Sequence, residues 1–223
     1  MPNTRVSMRP KSVQRSRHRP RVLILGGGFA GVSCAGRLSK HRFDVCLVDQ
    51  KPHFEFLPNI HEILSGVKHL RDVRLSLADQ MAALGHRFRQ ALVHSIAPKG
   101  KRVTLDDGTA LHYDYLVVAL GAVDANYGVT GIDAHALSFK SAAQCDAIGQ
   151  RLNELRASSK ASRVTVIGGG ITGVEALGEI LRLGVPSHLK ITLLEAQEQR
   201  RSYYQIAPMG LITISEACVS PIR

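Results

Sequence analysis

No apolar run in this 223-residue chain approaches the length of a membrane span, and the most apolar stretch, residues 116–123, is short and interrupted by Gly121. A transmembrane helix is therefore not expected. Cysteine is also scarce. The four present, Cys34, Cys46, Cys145 and Cys218, show no C-x-x-C or zinc-like spacing. Two of them fall inside a predicted apolar helix and strand, which suits a reducing cytosol better than a disulfide framework. Neither His53 nor His61 has a Cys, Asp or His partner at metal-ligand spacing on a shared helix face, so no metal site is expected. Acidic residues are missing from the first twenty positions, where Arg5, Arg9, Lys11, Arg15, Arg17 and Arg19 run on to Arg21. Such an arm, residues 1–20, has no apolar core and is expected to be a disordered, solvated tail that could meet an anionic membrane surface. Nucleic acid is not expected as a partner. No apolar segment follows the charges, which argues against a secretory signal. Net charge is +11, the excess concentrated in this arm, and the hydrophobic fraction of 44% is ordinary for a soluble globular protein.

What the sequence does contain is centred on residues 21–49, RVLILGGGFAGVSCAGRLSKHRFDVCLVD. A mostly apolar strand over Arg21–Leu25 runs into Gly26, Gly28 and Gly31, which have G-x-G-x-x-G spacing and stand immediately before a helical pattern. The first glycine permits the tight turn, the second a close backbone approach to a pyrophosphate, and the third close helix–sheet packing. Phe29 and Ala30 open the helix whose N–H groups would receive the phosphate. Residues 43–48 read as a second buried strand ending in Asp49, eighteen positions beyond Gly31, where a carboxylate can accept from ribose hydroxyls. Val32, Ala35 and Leu38 are expected to face the sheet.

The unit occurs twice. RVTVIGGGITGVEALGEI, residues 163–180, aligns without a gap on RVLILGGGFAGVSCAGRL, residues 21–38. Its loop contains Gly168, Gly170, Ile171, Thr172 and Gly173, and its second strand, residues 190–194, ends in Glu195. Two such units imply two dinucleotides. In the second helix Val174, Leu177 and Leu181 make the expected sheet-facing stripe, with Glu175 placed in the first turn, where the helix dipole favours a carboxylate.

Between the repeats, residues 61–64 suit a short helix that Gly66 ends. Residues 67–85 read as polar loop and helix, and residues 87–96 and 102–105 as strands, with Asp107-Gly108 a turn before the next. The run YDYLVVALGA, residues 113–122, suits a central parallel strand, and Gly121 just past its end permits a close backbone approach. Residues 136–155 hold a connecting segment and an amphipathic helix, and residues 158–162 form a polar break. The fold expected is α/β and Rossmann-like: two βαβ dinucleotide units with parallel sheets and a small antiparallel insertion. The domains expected are a discontinuous flavin-binding one over residues 21–150 and a partial nicotinamide-binding one over residues 151–223.

QKPHFEFLPNIHEILSG, residues 50–66, together with the two glycine units and the Ala119-Leu120-Gly121 close of the later strand, resembles the two-dinucleotide flavoprotein reductases of the pyridine nucleotide-disulfide oxidoreductase superfamily, most of all the type II NADH:quinone oxidoreductases. The resemblance implies FAD and NAD(H) as cofactors and hydride transfer from NADH to flavin, with electrons passing on to an acceptor, foremost a quinone. It implies Leu57 and Pro58 near the isoalloxazine, Lys51 near the pyrophosphate end, backbone contact to adenine near Val93, and Ala119 and Gly121 at the cofactor. Glu175, in a GVE-like run, is implied to lie near nicotinamide and flavin as a catalytic group. The redox cysteine pair, spaced by four residues, that disulfide reductases of this superfamily carry is absent, which disfavours a disulfide relay and leaves sulfide:quinone or ferredoxin-type reductases behind quinone reduction. Glu195 argues for NADH over NADPH, while Arg200 and Arg201 stand close enough to blur that choice.

The resemblance stops after Glu195. The family's later glycine-aspartate run has no counterpart, and residues 197–223 contain no recognisable motif beyond a short β-like run at 211–214. A truncated sheet of this kind would leave apolar edges open to pairing with another chain, a homodimer included. The rival expectation is a non-catalytic remnant binding at most an adenine nucleotide. The location expected is cytoplasmic, or peripheral on the inner face of the membrane.

Overall fold

The computed structural model describes residues 19–126 and 128–195. The basic arm through residue 18, Arg200 and Arg201, Cys218 and the run at 211–214 lie outside the described residues. The chain forms two compact units: one holds the described residues through Lys51 together with Ala78–Leu120, the other Pro52–Leu77 with the described residues from Gly121 onward.

In the first unit, β1 (Arg21–Leu25), α1 (Phe29–Arg37) and β2 (Asp44–Asp49) make the βαβ turn. Most apolar side chains of the two strands are buried because a parallel sheet is covered on both faces; Ile24, Leu25, Leu47 and Val48 are fully enclosed. In α1, Gly31 and Ala35 are buried, with Val32 and Leu38 half-buried beside them. The second unit contributes β3 (His53–Glu55), α2 (His61–Leu64) and β4 (Arg74–Ser76). The short helix α2 occupies the predicted residues, and Gly66 closes it with its N–H on the Ile63 carbonyl and φ of 77°. The hairpin of β3 and β4 was not expected, since residues 67–85 read as loop and helix. It is paired from His53↔Ser76 to Glu55↔Arg74.

The chain then passes through α3 (Leu77–Leu84) into β5 (Arg87–Gln90), β6 (Val93–Ala97), β7 (Arg102–Leu105), β8 (Ala110–His112) and β9 (Tyr115–Val118). The single strand expected over residues 87–96 is two strands in two sheets. β5 joins a parallel sheet of order β5-β2-β1-β9, whereas β6 joins the antiparallel sheet β6-β7-β8. The break falls where Ala91 N–H donates to the Asp49 carbonyl and Leu92 N–H to the Asp106 carboxylate, so consecutive residues serve different partners. One core cluster of Leu23, Leu25, Val48, Val103, Leu105 and Tyr113 joins the two sheets. The strand predicted over 113–122 is shorter and takes the sheet's edge instead of its centre. It pairs with β1 alone among the described residues, and Tyr115 and Val118 are each 60% exposed.

The second unit continues with α4 (Ile132–His135), α5 (Ala142–Ala157), β10 (Ser162–Ile167), α6 (Ile171–Arg182) and β11 (Leu189–Leu194). Ser141 caps α5, its hydroxyl accepting from Gln144 N–H. β10 and β11 pair in parallel from Ser162↔Leu189 to Ile167↔Leu194. Two expectations about α6 change. Its inward face is Ala176, Leu177 and Ile180, while Leu181 is 38% exposed. Glu175 lies beyond the first turn, which holds no acid, so the helix dipole does not account for it. Gly173 sets this rotation: a Cβ there would stand 1.9 Å from the Gly168 carbonyl oxygen, so this face must meet the strand end. Residues one and two turns further along then point inward.

Candidate functional site

The first unit builds its loop from the backbone outward. Gly26 leaves β1 with φ of 106°, a conformation open to glycine, and its N–H donates to the Val48 carbonyl at 2.8 Å. Ala119 N–H donates to the Leu25 carbonyl beside it, and the strand end approaches so closely that a Cβ on Gly26 would stand 2.1 Å from the Ala119 oxygen. Gly31 lies equally tight, 1.8 Å from the Gly26 carbonyl oxygen by the same measure. Gly28 differs: a Cβ there would meet nothing within 4 Å. It is the N-cap of α1, no side chain caps that helix, and its first turn holds no acid. A helix of nine residues thus begins at an exposed glycine that makes no side-chain cap bond and has open space at its Cβ position, the arrangement that receives an anion such as a pyrophosphate.

Asp49 completes the loop. Its Oδ2 accepts from Gly27 N–H at 2.6 Å and its Oδ1 from Lys51 N–H at 2.8 Å. The acid, half-buried, therefore fastens the end of β2 to the middle of the glycine loop. This bond to Gly27 was not foreseen. The signal for it was the triple glycine, present in both repeats.

The second unit reproduces the same contacts. Gly168 N–H donates to the Leu194 carbonyl at 2.8 Å, as Gly26 does to Val48. Gly169 N–H donates to Glu195 Oε2 at 2.7 Å, as Gly27 does to Asp49. Val174 N–H meets the Gly170 carbonyl at 3.0 Å, as Val32 meets Gly28. Gly170 is the N-cap of α6 without a side-chain bond, Ile171 and Thr172 are exposed, and Ile171 is 70% so. Two loops of one design, each closed by an acid, fit a dinucleotide apiece.

The remaining predicted residues are distributed as follows. Gly26, Gly28, Phe29, Ala30, Gly31, Asp49, Lys51 and Ala119 belong to the first unit, as does Val93, whose partly buried side chain packs on the core cluster. Leu57 and Pro58 belong to the second unit, in a 3-10 turn over Leu57–Asn59, both exposed. Gly121 also counts with the second unit and has φ of 77°. Glu175 faces His61, its Oε2 lying 3.9 Å from His61 Nδ1. That partner was missed because the two residues are far apart in sequence. Among the described residues no group of His, Cys, Asp or Glu could hold a metal ion.

Residues 20–207 match the family model described as pyridine nucleotide-disulphide oxidoreductase. The chain belongs to this family. Among its relatives, demethylphylloquinone reductase NdbB of Synechocystis sp. is 32% identical over 224 residues, covering 92% of this chain and 55% of the relative. A type II NADH:quinone oxidoreductase of Staphylococcus aureus is 28% identical over 199 residues, covering 80% of this chain and 49% of the relative. The structure of NDH2 from Plasmodium falciparum in complex with NADH superposes with a TM-score of 0.70 at 20% identity, covering 79% of this chain and 42% of that one. The chain therefore spans about half the length of the curated relatives it matches. Type II NADH:quinone oxidoreductases are thus among the relatives it matches, and it shares the α/β fold of the solved structure. No helix among the described residues is long and apolar enough to cross a membrane.

Proposed function

We propose that this chain supplies the dinucleotide-binding part of a flavoprotein that takes a hydride from NADH and passes electrons to a quinone. The observation that carries the reading is the duplicated glycine loop with its fastening acid, Gly27 to Asp49 and Gly169 to Glu195. The names of the two curated relatives reported above, a demethylphylloquinone reductase and an NADH:quinone oxidoreductase, support the acceptor.

The first loop receives the ADP half of FAD: α1's N-terminus faces the pyrophosphate, the open space at Gly28 admits it, and Asp49 accepts from the ribose. Lys51 supports the pyrophosphate end and Val93 the adenine side, with Ala119 also at the cofactor. When bound, the flavin supplies the hydride-accepting and electron-donating chemistry, which no side chain of this protein has. The second loop receives NADH on Gly168, Gly170, Ile171, Thr172 and Gly173. Glu195, a carboxylate where a 2′-phosphate would otherwise sit, selects NADH against NADPH by charge. Glu175 acts beside the nicotinamide as a catalytic carboxylate. Delivery to a quinone suits a peripheral protein at the inner membrane face, where the basic N-terminal sequence would attract anionic lipid, with a second copy as a further partner.

The alternative is a non-catalytic protein that binds at most an adenine nucleotide. Steady-state oxidation of NADH with a water-soluble quinone, after reconstitution with FAD, separates the two. The proposal expects turnover that Gly28→Ala and Gly170→Ala each reduce and that NADPH supports far less well. Adenine nucleotide binding without turnover favours the alternative.

A further inference from the structure

Inside the second unit α2 and α6 meet through a polar ladder of two rungs. Ser65 stands one turn beyond His61, and Glu179 one turn beyond Glu175, so the two pairs face each other at matching spacing. On the lower rung the Ser65 hydroxyl donates to Glu179 Oε2, and Arg182 Nε lies 3.1 Å from the same oxygen. Glu179 is only 5% exposed, so this carboxylate is committed to those two partners. On the upper rung His61 Nδ1 and Glu175 Oε2 are 3.9 Å apart, and the side chains are 20% and 41% exposed. Apolar packing holds the helices together beneath: Leu64 on α2 shares a buried cluster with Ala176 and Ile180 on α6 and with Leu152.

A glutamate on an exposed helix turn ordinarily samples several rotamers into solvent, because holding one costs side-chain entropy. We infer that His61 is a positioning residue for Glu175, holding its carboxylate toward α2, with the Ser65–Glu179–Arg182 rung fixing the helix register that brings the two together. At 3.9 Å the pair lies beyond hydrogen-bond length, and it is an ion pair only when the imidazole is protonated. Glu62 also borders His61, but its carboxylate is taken by Lys68 Nζ and by Asn59 Nδ2, bonds that hold it below the usual carboxylate range. Glu175 is thus left as the carboxylate that follows His61. The inference rests on the proposed role of Glu175 only for its consequence in catalysis; the pairing is a property of the chain itself.

The test is the side-chain carboxyl 13C resonance of Glu175 in the full chain. It should move in His61→Gln and stay in place in Glu62→Gln. A resonance unmoved by His61→Gln, or moved as far by Glu62→Gln, overturns the inference. Should His61→Gln fail to fold, the ring 15N resonances of His61 in Glu175→Gln serve instead. They should move, while those of His188, whose Nε2 meets the Leu155 carbonyl at 3.1 Å, stay in place; unmoved His61 resonances overturn the inference equally. Quinone turnover separates the underlying reading. If the resonances behave as expected but Glu175→Gln reduces quinone normally, the pairing stands and the catalytic role of Glu175 falls.

Discussion

Three alanine substitutions in one helix and its loop should change stability in three different ways, and the difference tests how the glycine loop is built. At Gly31 the added methyl would lie 1.8 Å from the Gly26 carbonyl oxygen and 3.4 Å from Ile24 Cγ2. Relieving the first contact to an ordinary separation of roughly 3.2 Å requires a displacement of about 1.4 Å between two backbone segments inside a close-packed interior. Overpacking of this kind typically costs about 1–3 kcal/mol, and a backbone neighbour that cannot rotate away puts Gly31→Ala at the upper end or beyond. Gly36, on the same helix, has nothing within 4 Å of its would-be Cβ and an ordinary φ. Gly36→Ala should stabilise by about 0.5–1 kcal/mol through helix propensity and the unfolded chain's entropy. Gly28→Ala has the same free space and an extended φ of −80°, so stability should hardly move. The space it fills is where the pyrophosphate is proposed to lie, so adenine nucleotide binding should fall. Urea unfolding measures the first two and equilibrium titration with FAD or ADP the third, in the full chain. A Gly31→Ala protein as stable as wild type would refute the packing argument. A Gly28→Ala protein with unchanged nucleotide affinity would refute the cradle.

Further outcomes follow from the same geometry. Cys145 is fully buried and its thiol is pushed up to about 12, first by burial and then by the nearby Glu55 charge; a thiol reagent at pH 8 should therefore modify it only as fast as the protein opens. Because its protonated form is favoured in the folded state, its contribution to stability is complete below the unfolded value near 8.5 and is lost as pH rises toward about 12, which alkaline unfolding curves of Cys145→Ala against wild type should show. Asp107, in the turn between β7 and β8, is held below the usual carboxylate range by hydrogen bonds from the Thr109 hydroxyl and N–H, with Arg89 adding to them. Its contribution is present above the unfolded value near 3.9 and is lost as pH falls through the lowered one, so Thr109 amide exchange should accelerate there and Asp107→Asn should remove the effect. Glu55 is 8% exposed and accepts from Arg74 Nε and Nη2; Arg74→Ala should destabilise the β3–β4 hairpin by about 2 kcal/mol, measured by urea unfolding, because the carboxylate loses its main cation while staying buried.

The parts of this fold written locally were legible in the sequence, and the parts written by distant partners were not. Both glycine units could be read because each is contiguous: strand, turn, helix and acid follow in order, and periodicity reports the burial directly. Helix α2 was legible for the same reason, since Gly66 ends it within one turn. The hairpin of β3 and β4 was not. Each strand has only three residues, too few for a period, and the pair is held by Glu55 with Arg74 across nineteen positions. The division of residues 87–96 was hidden because both pieces have strand character; only the separate claims of Asp49 and Asp106 on Ala91 and Leu92 break them apart. Composition also placed β9 centrally, because apolar residues report enclosed faces and say nothing of how many neighbouring strands there are. At the site, the glycines and acids were legible as types. The use of Asp49 and Glu195 to fasten Gly27 and Gly169 was not, nor was the meeting of His61 with Glu175, which depends on how α6 is rotated by Gly173.

The central claim is that both loops work as dinucleotide sites in this chain, and the visible spectrum of the purified protein tests it most directly. The account predicts a flavin absorbance band, present as isolated or after reconstitution with FAD, that bleaches when NADH is added without oxygen and bleaches much less with NADPH. A colourless protein that takes up no FAD would contradict the first site, and a flavin band unmoved by NADH would contradict the second.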